Sequence, residues 1–171
     1  LSDDPARKQK FVNEIGKAYE EIGFVALKGH FLDDKLVEGL YSEVRNFFNL
    51  PLETKAKYEI PGIGGQRGYV SFGKEHAKGR SAGDLKEFWH IGRDLPQEQL
   101  QQARMHPNIW PQELPEFQAV FTQLYQDFDR LGERILSAIA LYLGKQADFF
   151  KPSVHNGNSV LRLLHYPPVQ A

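Results

Sequence analysis

The chain is predicted to be an α+β domain, and three features of the sequence point there. Two amphipathic helices come early, a glycine-rich stretch follows, and a long apolar-striped helix leads into a short β-branched and leucine-rich strand near the end. Helices and short strands follow one another without a regular βαβ alternation, which separates this pattern from an α/β sheet. At 171 residues the chain fits one domain on the usual prior of about 100–200 residues per domain.

The first helix starts at Asp4, a capping residue, with Pro5 in its first turn. Phe11, Val12, Ile15, Ala18, Tyr19 and Ile22 then share one face at a 3.6-residue period, and Gly23 ends it. Phe24-Val25-Ala26-Leu27 is a short apolar run after a glycine and reads as a buried strand. Asp33 or Asp34 caps a second helix, whose apolar face is Leu36, Val37, Leu40, Tyr41, Val44, Phe47 and Phe48, and Leu50-Pro51 breaks it. Leu52 to Tyr58 is one or two polar helical turns.

Seven glycines between 61 and 83 predict a long loop, with a short strand around Gly68–Phe72. From Leu85 to Ile91 the side chains alternate: Lys86, Phe88 and His90 face one way, and Leu85, Glu87, Trp89 and Ile91 the other. Pro115 opens the longest helix, its stripe running from Phe117 to Leu143, and Gly144 stops it. Ser159 to Tyr166 is the last strand. The organisation predicted is a single unit over 1–171, with an N-terminal region at 1–114, the supporting helix at 115–144 and the first sheet strands at 145–171.

Composition excludes several classes. Lys plus Arg is 21 and Asp plus Glu 22, a net charge of −1, so no basic excess points to nucleic acid or an anionic membrane. With no cysteine there is no disulfide, zinc–thiolate site or cysteine nucleophile, and a reduced, cytoplasmic setting is expected. No apolar run reaches the 18 or so residues of a membrane span. The acidic start, Leu1-Ser2-Asp3-Asp4-Pro5, is unlike a signal peptide. Twelve Phe, seven Tyr and two Trp supply a core, each burying roughly 150–250 Å².

Six segments, in order, carry a family likeness. They are Glu20-Glu21-Ile22-Gly23-Phe24-Val25 with Gly29-His30; Phe47-Phe48-Asn49-Leu50-Pro51 with Glu53, Lys55 and Lys57; Gly65-Gln66-Arg67-Gly68-Tyr69; Asp84-Leu85-Lys86-Glu87-Phe88-Trp89-His90; Trp110-Pro111 with Pro115 and Phe117; and Leu161-Arg162-Leu163-Leu164-His165-Tyr166-Pro167-Pro168. Together they resemble the front half of the isopenicillin N synthase-like non-haem iron oxygenases. The resemblance implies a helical region packed on the start of a double-stranded β-helix, or jelly roll, incomplete in this chain. It also implies Fe(II), 2-oxoglutarate and O₂ as cofactor and co-substrates, and oxidation of a small molecule by hydroxylation or desaturation. Two alternatives stay open: an oxidase of the same type that uses no 2-oxoglutarate, and a non-catalytic small-molecule-binding module.

The family holds its iron with His-x-Asp and a distant His, a facial triad. None of the six histidines here is followed two residues on by Asp or Glu. No metal ligand and no catalytic residue is therefore assigned, and the iron ligands are expected beyond Ala171. The resemblance places Tyr166 beside 2-oxoglutarate. It places Arg162, Phe88 and His90 in the substrate pocket, and Arg67 and Tyr69 at its mouth. An arginine at 162 favours an anionic substrate, and a salt bridge to a loop Glu or Asp is the competing reading. His165 is expected to be packed or paired, and Trp89 and Trp110 to anchor the core.

Overall fold

The computed structural model describes residues 1–75 and 83–168; the part of the predicted loop over 76–82 lies outside the described residues. The chain divides into two compact units, Leu1–Leu32 with Gln126–Gly157, and Asp33–Tyr125 with Asn158–Ala171. The chain passes between the two inside its longest helix. Among the described residues no helix is long and apolar enough to cross a membrane.

The first unit is helical. Helix α1 (Pro5–Glu21) begins where predicted: the Asp4 carboxylate accepts the amide N–H groups of Ala6 and Arg7, and Pro5 sits in the first turn. Its end is a glycine stop, with Gly23 at φ +81° donating to the Ala18 carbonyl at 3.1 Å. Val12 and Ile15 pack on Ala138, ringed by Phe11, Val25, Leu27, Ile135, Leu141 and Tyr142. The predicted stripe is shorter than its sequence pattern, because Ile22 is 71% exposed and lies past the last helical residue.

Phe24–Leu27 is not a strand. Val25 and Leu27 do turn onto the helical core while Phe24 is 81% exposed, so the two-residue alternation survives. No described strand pairs with it, and without a ladder the backbone is not a β-strand. Beyond it the Phe31 ring meets the guanidinium groups of Arg130 and Arg134, 5.5 and 4.8 Å from its centroid. A four-residue helix, Lys151–Val154, is too short to leave a period in the sequence.

The second unit holds the sheet. Helix α2 (Asp34–Phe48) is capped by Asp33, and α3 (Leu52–Ala56) follows Pro51. Strands β1 (Gly68–Val70), β2 (Glu87–Gly92) and β3 (Val160–His165) form an antiparallel sheet in the order β1-β2-β3. The register sets Tyr69 opposite Trp89, Trp89 opposite Leu163, and His90 opposite Arg162. A period of two then sorts the faces. Trp89, Ile91 and Leu163 bury themselves with Phe47 and Phe48 from the end of α2 and with Phe117, Phe121 and Leu124. Phe88, His90 and Arg162 face the other way. Trp89 is fully buried, in edge contact with Phe47 and Phe117. Trp110 packs at the margin of the same core.

A short helix, α4 (Gln97–Gln102), follows β2; six residues with one buried apolar side chain, Leu100, carry no period to read. Helix α5 (Phe117–Tyr142) spans 26 residues, about 39 Å at 1.5 Å per residue, slightly under the predicted span. Gly144, at φ +69°, is its stop, and the Lys145 N–H closes on the Ala140 carbonyl at 2.8 Å. Its stripe is not buried throughout: Phe128 and Leu143 are 44% and 55% exposed.

Gly68 shows why β1 begins where it does. It takes φ +74°, and a Cβ there would lie 2.5 Å from the Tyr58 carbonyl oxygen, a backbone atom that cannot step aside. Gly68→Ala is expected to cost about 1–3 kcal/mol, from the left-handed backbone and the overlap together. Urea unfolding midpoints check it; an unchanged midpoint would mean the turn has another conformation.

Candidate functional site: a charged cavity on the open face of the sheet

The face of β2 turned from the core opens into a cavity of about 540 Å³. Its floor is Phe88 and His90, one wall is Arg162 on β3, and the rest of the lining is the loop around Gly62 to Gly65 together with Glu59, Lys74 and Glu75. The register makes this assembly: His90 lies opposite Gly68 on one side and Arg162 on the other.

Three of the residues assigned to substrate meet in one contact set. His90 Nδ1 lies 2.6 Å from the Gly65 carbonyl oxygen, so that nitrogen carries the proton. Nε2 is then the acceptor, and Arg162 Nε donates to it at 2.5 Å. The Arg162 guanidinium also lies over the Phe88 ring, 4.5 Å from its centroid, and the Phe88 and His90 rings are 4.6 Å apart. Burial holds His90 below its ordinary 6.5; the Gly65 carbonyl pulls against that, and the Arg162 charge adds to it. The imidazole is thus kept neutral, as an acceptor from a cation must be.

Arg162 also has a carboxylate partner. Its Nη1 stands 3.3 and 3.4 Å from the two oxygens of Glu75. Glu75 is held more tightly by Lys86, at 2.8 Å, and Lys86 by Asp84 at 2.6 Å. On the other rim Lys74 pairs with Glu59, which also accepts the Ser71 N–H at 2.8 Å. Sequence reasoning does not find Glu59, Lys74 and Glu75. They sit in or beside an aperiodic loop, where nothing local marks a carboxylate as facing inward.

Of the two residues assigned to the cavity mouth, Tyr69 lines the cavity and Arg67 does not. Tyr69 borders the cavity, but it is 1% exposed and its hydroxyl donates to Glu87 on the core side of the sheet; burial and that carboxylate hold the phenol far above its ordinary 10. Burial is the larger cause of that rise, and the carboxylate beside it the next. Arg67 is fully buried and is not in the cavity lining. It donates to the Gln66 carbonyl at 2.7 Å and to Asn158 Oδ1 at 3.1 Å, and its guanidinium fills the space a side chain at Gly92 would need. A guanidinium closed off in this way braces the loop against the sheet and offers no edge to a ligand. Burial lowers its pKa.

Behind the cavity lies a second group of polar residues. Glu87 accepts from Lys55 Nζ at 2.8 and 3.0 Å and from the Tyr69 hydroxyl, and His165 Nδ1 lies 2.8 Å from Oε1. Lys55 Nζ also donates to the Phe48 carbonyl at 3.0 Å, and the His165 ring stacks on Phe48, 5.0 Å between centroids. His165 is therefore packed and paired. The signal is present in the sequence: a glutamate alternating with Trp89 and Ile91 on a core-facing strand must have partners.

Tyr166 is 64% exposed, just past the end of β3, and is not in the cavity lining. Among the described residues no three His, Asp or Glu side chains are gathered so that they could hold a metal ion. The residues present therefore do not fit an iron centre.

Comparison with known proteins agrees with the architecture. Residues 1–113 match the family described as non-haem dioxygenase in morphine synthesis, N-terminal. A proline hydroxylase of Petromyces alliaceus is 32% identical over 176 residues, covering 99% of this chain and 53% of that protein. A crystal structure of a 2OG-Fe(II) oxygenase family protein from Caulobacter crescentus superposes with a TM-score of 0.87 at 46% identity, covering 98% of this chain and 54% of that one. A full-length protein of Neurospora crassa, solved in complex with alpha-KG and thymine, gives a TM-score of 0.82 at 29% identity, covering 98% of this chain and 53% of that one. The chain spans about half the length of the relatives it matches. It belongs to the non-haem iron, 2-oxoglutarate-dependent oxygenase family, whose N-terminal region it carries.

Proposed function

We propose that this chain forms the substrate-facing wall of an Fe(II)- and 2-oxoglutarate-dependent oxygenase that hydroxylates or desaturates a small molecule, and that its three-stranded sheet begins the jelly-roll barrel. The observation that carries the reading is the cavity on the open face of β2, where Phe88, His90 and Arg162 converge. A volume of about 540 Å³ lies in the usual range of small-molecule pockets, roughly 300–1,000 Å³. Known relatives are named as 2-oxoglutarate-dependent dioxygenases, and one solved neighbour holds thymine.

The described residues offer binding and orientation. Phe88 gives a buried apolar surface, and Arg162 a cation held in place by His90 and by the ring beneath it. Such an arrangement suits a substrate with an anionic group next to a flat or apolar body, and it fixes the angle at which that body enters. Tyr166, just past the end of the strand that carries Arg162, is proposed to donate its hydroxyl to 2-oxoglutarate.

The test uses the whole protein with Fe(II), 2-oxoglutarate and a panel of small aromatic and aliphatic carboxylates with neutral isosteres. Succinate released in proportion to an added compound is the expected result. A panel in which no compound raises succinate above the substrate-free rate would overturn the reading.

A further inference from the structure

The cavity is charged but internally compensated. Its lining carries two carboxylates, Glu59 and Glu75, and two fixed cations, Lys74 and Arg162. The two pairs differ in kind on the Arg162 side. One edge of the guanidinium is committed: Nε is 2.5 Å from the buried His90, and the plane lies over Phe88. The outer edge is held loosely. The Nη1–Glu75 separations of 3.3 and 3.4 Å exceed the roughly 2.7–2.9 Å of a strong charge-assisted bond, and Nη2 bonds to no described residue. Both side chains of the pair are a third or more exposed, at 38% and 34%, so water already competes for it. Glu75 meanwhile has a shorter partner in Lys86, at 2.8 Å, which would keep it in place without Arg162.

We propose that Glu75 is an internal stand-in for the ligand's carboxylate: it caps the outer edge of Arg162 until a ligand enters and yields that edge to an anionic one, falling back on Lys86. This rests on the reading of the cavity as the substrate site, and it narrows the ligand to a compound with a carboxylate beside a flat apolar body. Glu75 then also sets selectivity. A neutral compound gains nothing by displacing it, whereas a carboxylate exchanges one anion for another on the same cation.

Benzoate and its neutral isostere benzamide are suitable probes, titrated calorimetrically into the whole protein and into Glu75→Gln. Benzoate is expected to bind the variant about 2–5-fold more tightly than the wild type, the size of a weak exposed ion pair removed from competition. Benzamide is expected to bind both proteins alike, and the benzoate gain to vanish when Arg162→Met is added. The proposal fails if benzoate binds neither protein, gains nothing in Glu75→Gln, or gains equally without Arg162, and it fails if benzamide gains as much. The outcomes separate from those of the enzymatic reading. Succinate without a Glu75→Gln effect removes only this proposal, and a carboxylate-specific gain without succinate removes only the oxygenase reading.

Discussion

Replacing Glu87 with alanine is expected to destabilise the protein by about 3–5 kcal/mol, the cost of leaving a buried charge without its partner. At roughly 2–4 °C per kcal/mol for a chain of this size, the melting temperature falls by about 6–20 °C. The carboxylate is 5% exposed and Lys55 is 7% exposed, so the ammonium left behind keeps the Phe48 carbonyl and the Tyr69 ring but no anion, and cannot reach water without opening the core. Removing both charges together is a different experiment. Lys55→Met with Glu87→Leu strands no ion, and the double variant is expected to be more stable than either single one. Burial pushes the Glu87 carboxyl up, but bonds from Lys55, Tyr69 and His165 outweigh it and hold the group below its ordinary 4.5. A depressed carboxyl contributes stability above its unfolded value and loses it as pH falls through the folded one. The wild type should therefore lose stability below about pH 4.5, more steeply than the double variant. A melting temperature within 2 °C of wild type for Glu87→Ala, by differential scanning calorimetry, would show that the group is solvated.

This network matters to the cavity because it draws one residue from each strand: Tyr69 from β1, Glu87 from β2 and His165 from β3. Side chains alternate along a strand, so a register fixed on the core face is fixed on the cavity face as well. Phe88 and His90 are set between Glu87 and Ile91, and Arg162 three residues before His165. A hub behind the sheet thus holds the pocket's floor and wall in line without touching a ligand.

What the sequence shows and what it hides follow one division. Local periodicity finds α1, α2 and α5 and sorts β2 into its two faces, because those signals need only neighbouring residues. The run at Phe24–Leu27 has a strand's pattern without being one, since a strand also needs a partner that no local pattern reveals. The resemblance puts Arg67 and Tyr69 at the mouth because it puts their loop there, yet the Arg67 side chain is sealed against Gly92 and the Tyr69 hydroxyl bonds to Glu87. For Arg162 the two readings, ligand contact or salt bridge to a loop carboxylate, cannot be separated in sequence, because Glu75 is 87 residues away. In space that partner leaves the outer edge of the guanidinium only loosely held, so the two readings are compatible.

Substituting Arg162 carries the second large effect, on function. With an anionic substrate, Arg162→Met in the whole protein is expected to lower kcat/KM by about 10–150-fold, the equivalent of the roughly 1.5–3 kcal/mol of a hydrogen bond to a charged group. Most of the loss should appear in KM, because the cation grips the substrate away from the atom that reacts. Arg162→Lys should recover little of it. A lysine can donate to His90, but it has no second edge for a carboxylate and no plane to lay on Phe88. The pH profile separates this from general damage. His90 faces the Gly65 carbonyl, the charges of Arg162, Glu75 and Arg67, and the Phe88 ring, and the balance depresses its pKa below 6.5, burial being the largest cause. A histidine whose folded pKa is depressed keeps its neutral, accepting form at and above 6.5, and loses it as pH falls through the folded value. Wild-type kcat/KM should then be level from neutral pH down past 6.5 and drop on a limb below it. In Arg162→Met the cation is gone, so protonating His90 no longer releases it and that limb should flatten even though the remaining activity is low. A variant that keeps the wild-type limb at reduced height would show that His90 acts on the substrate directly and not through Arg162.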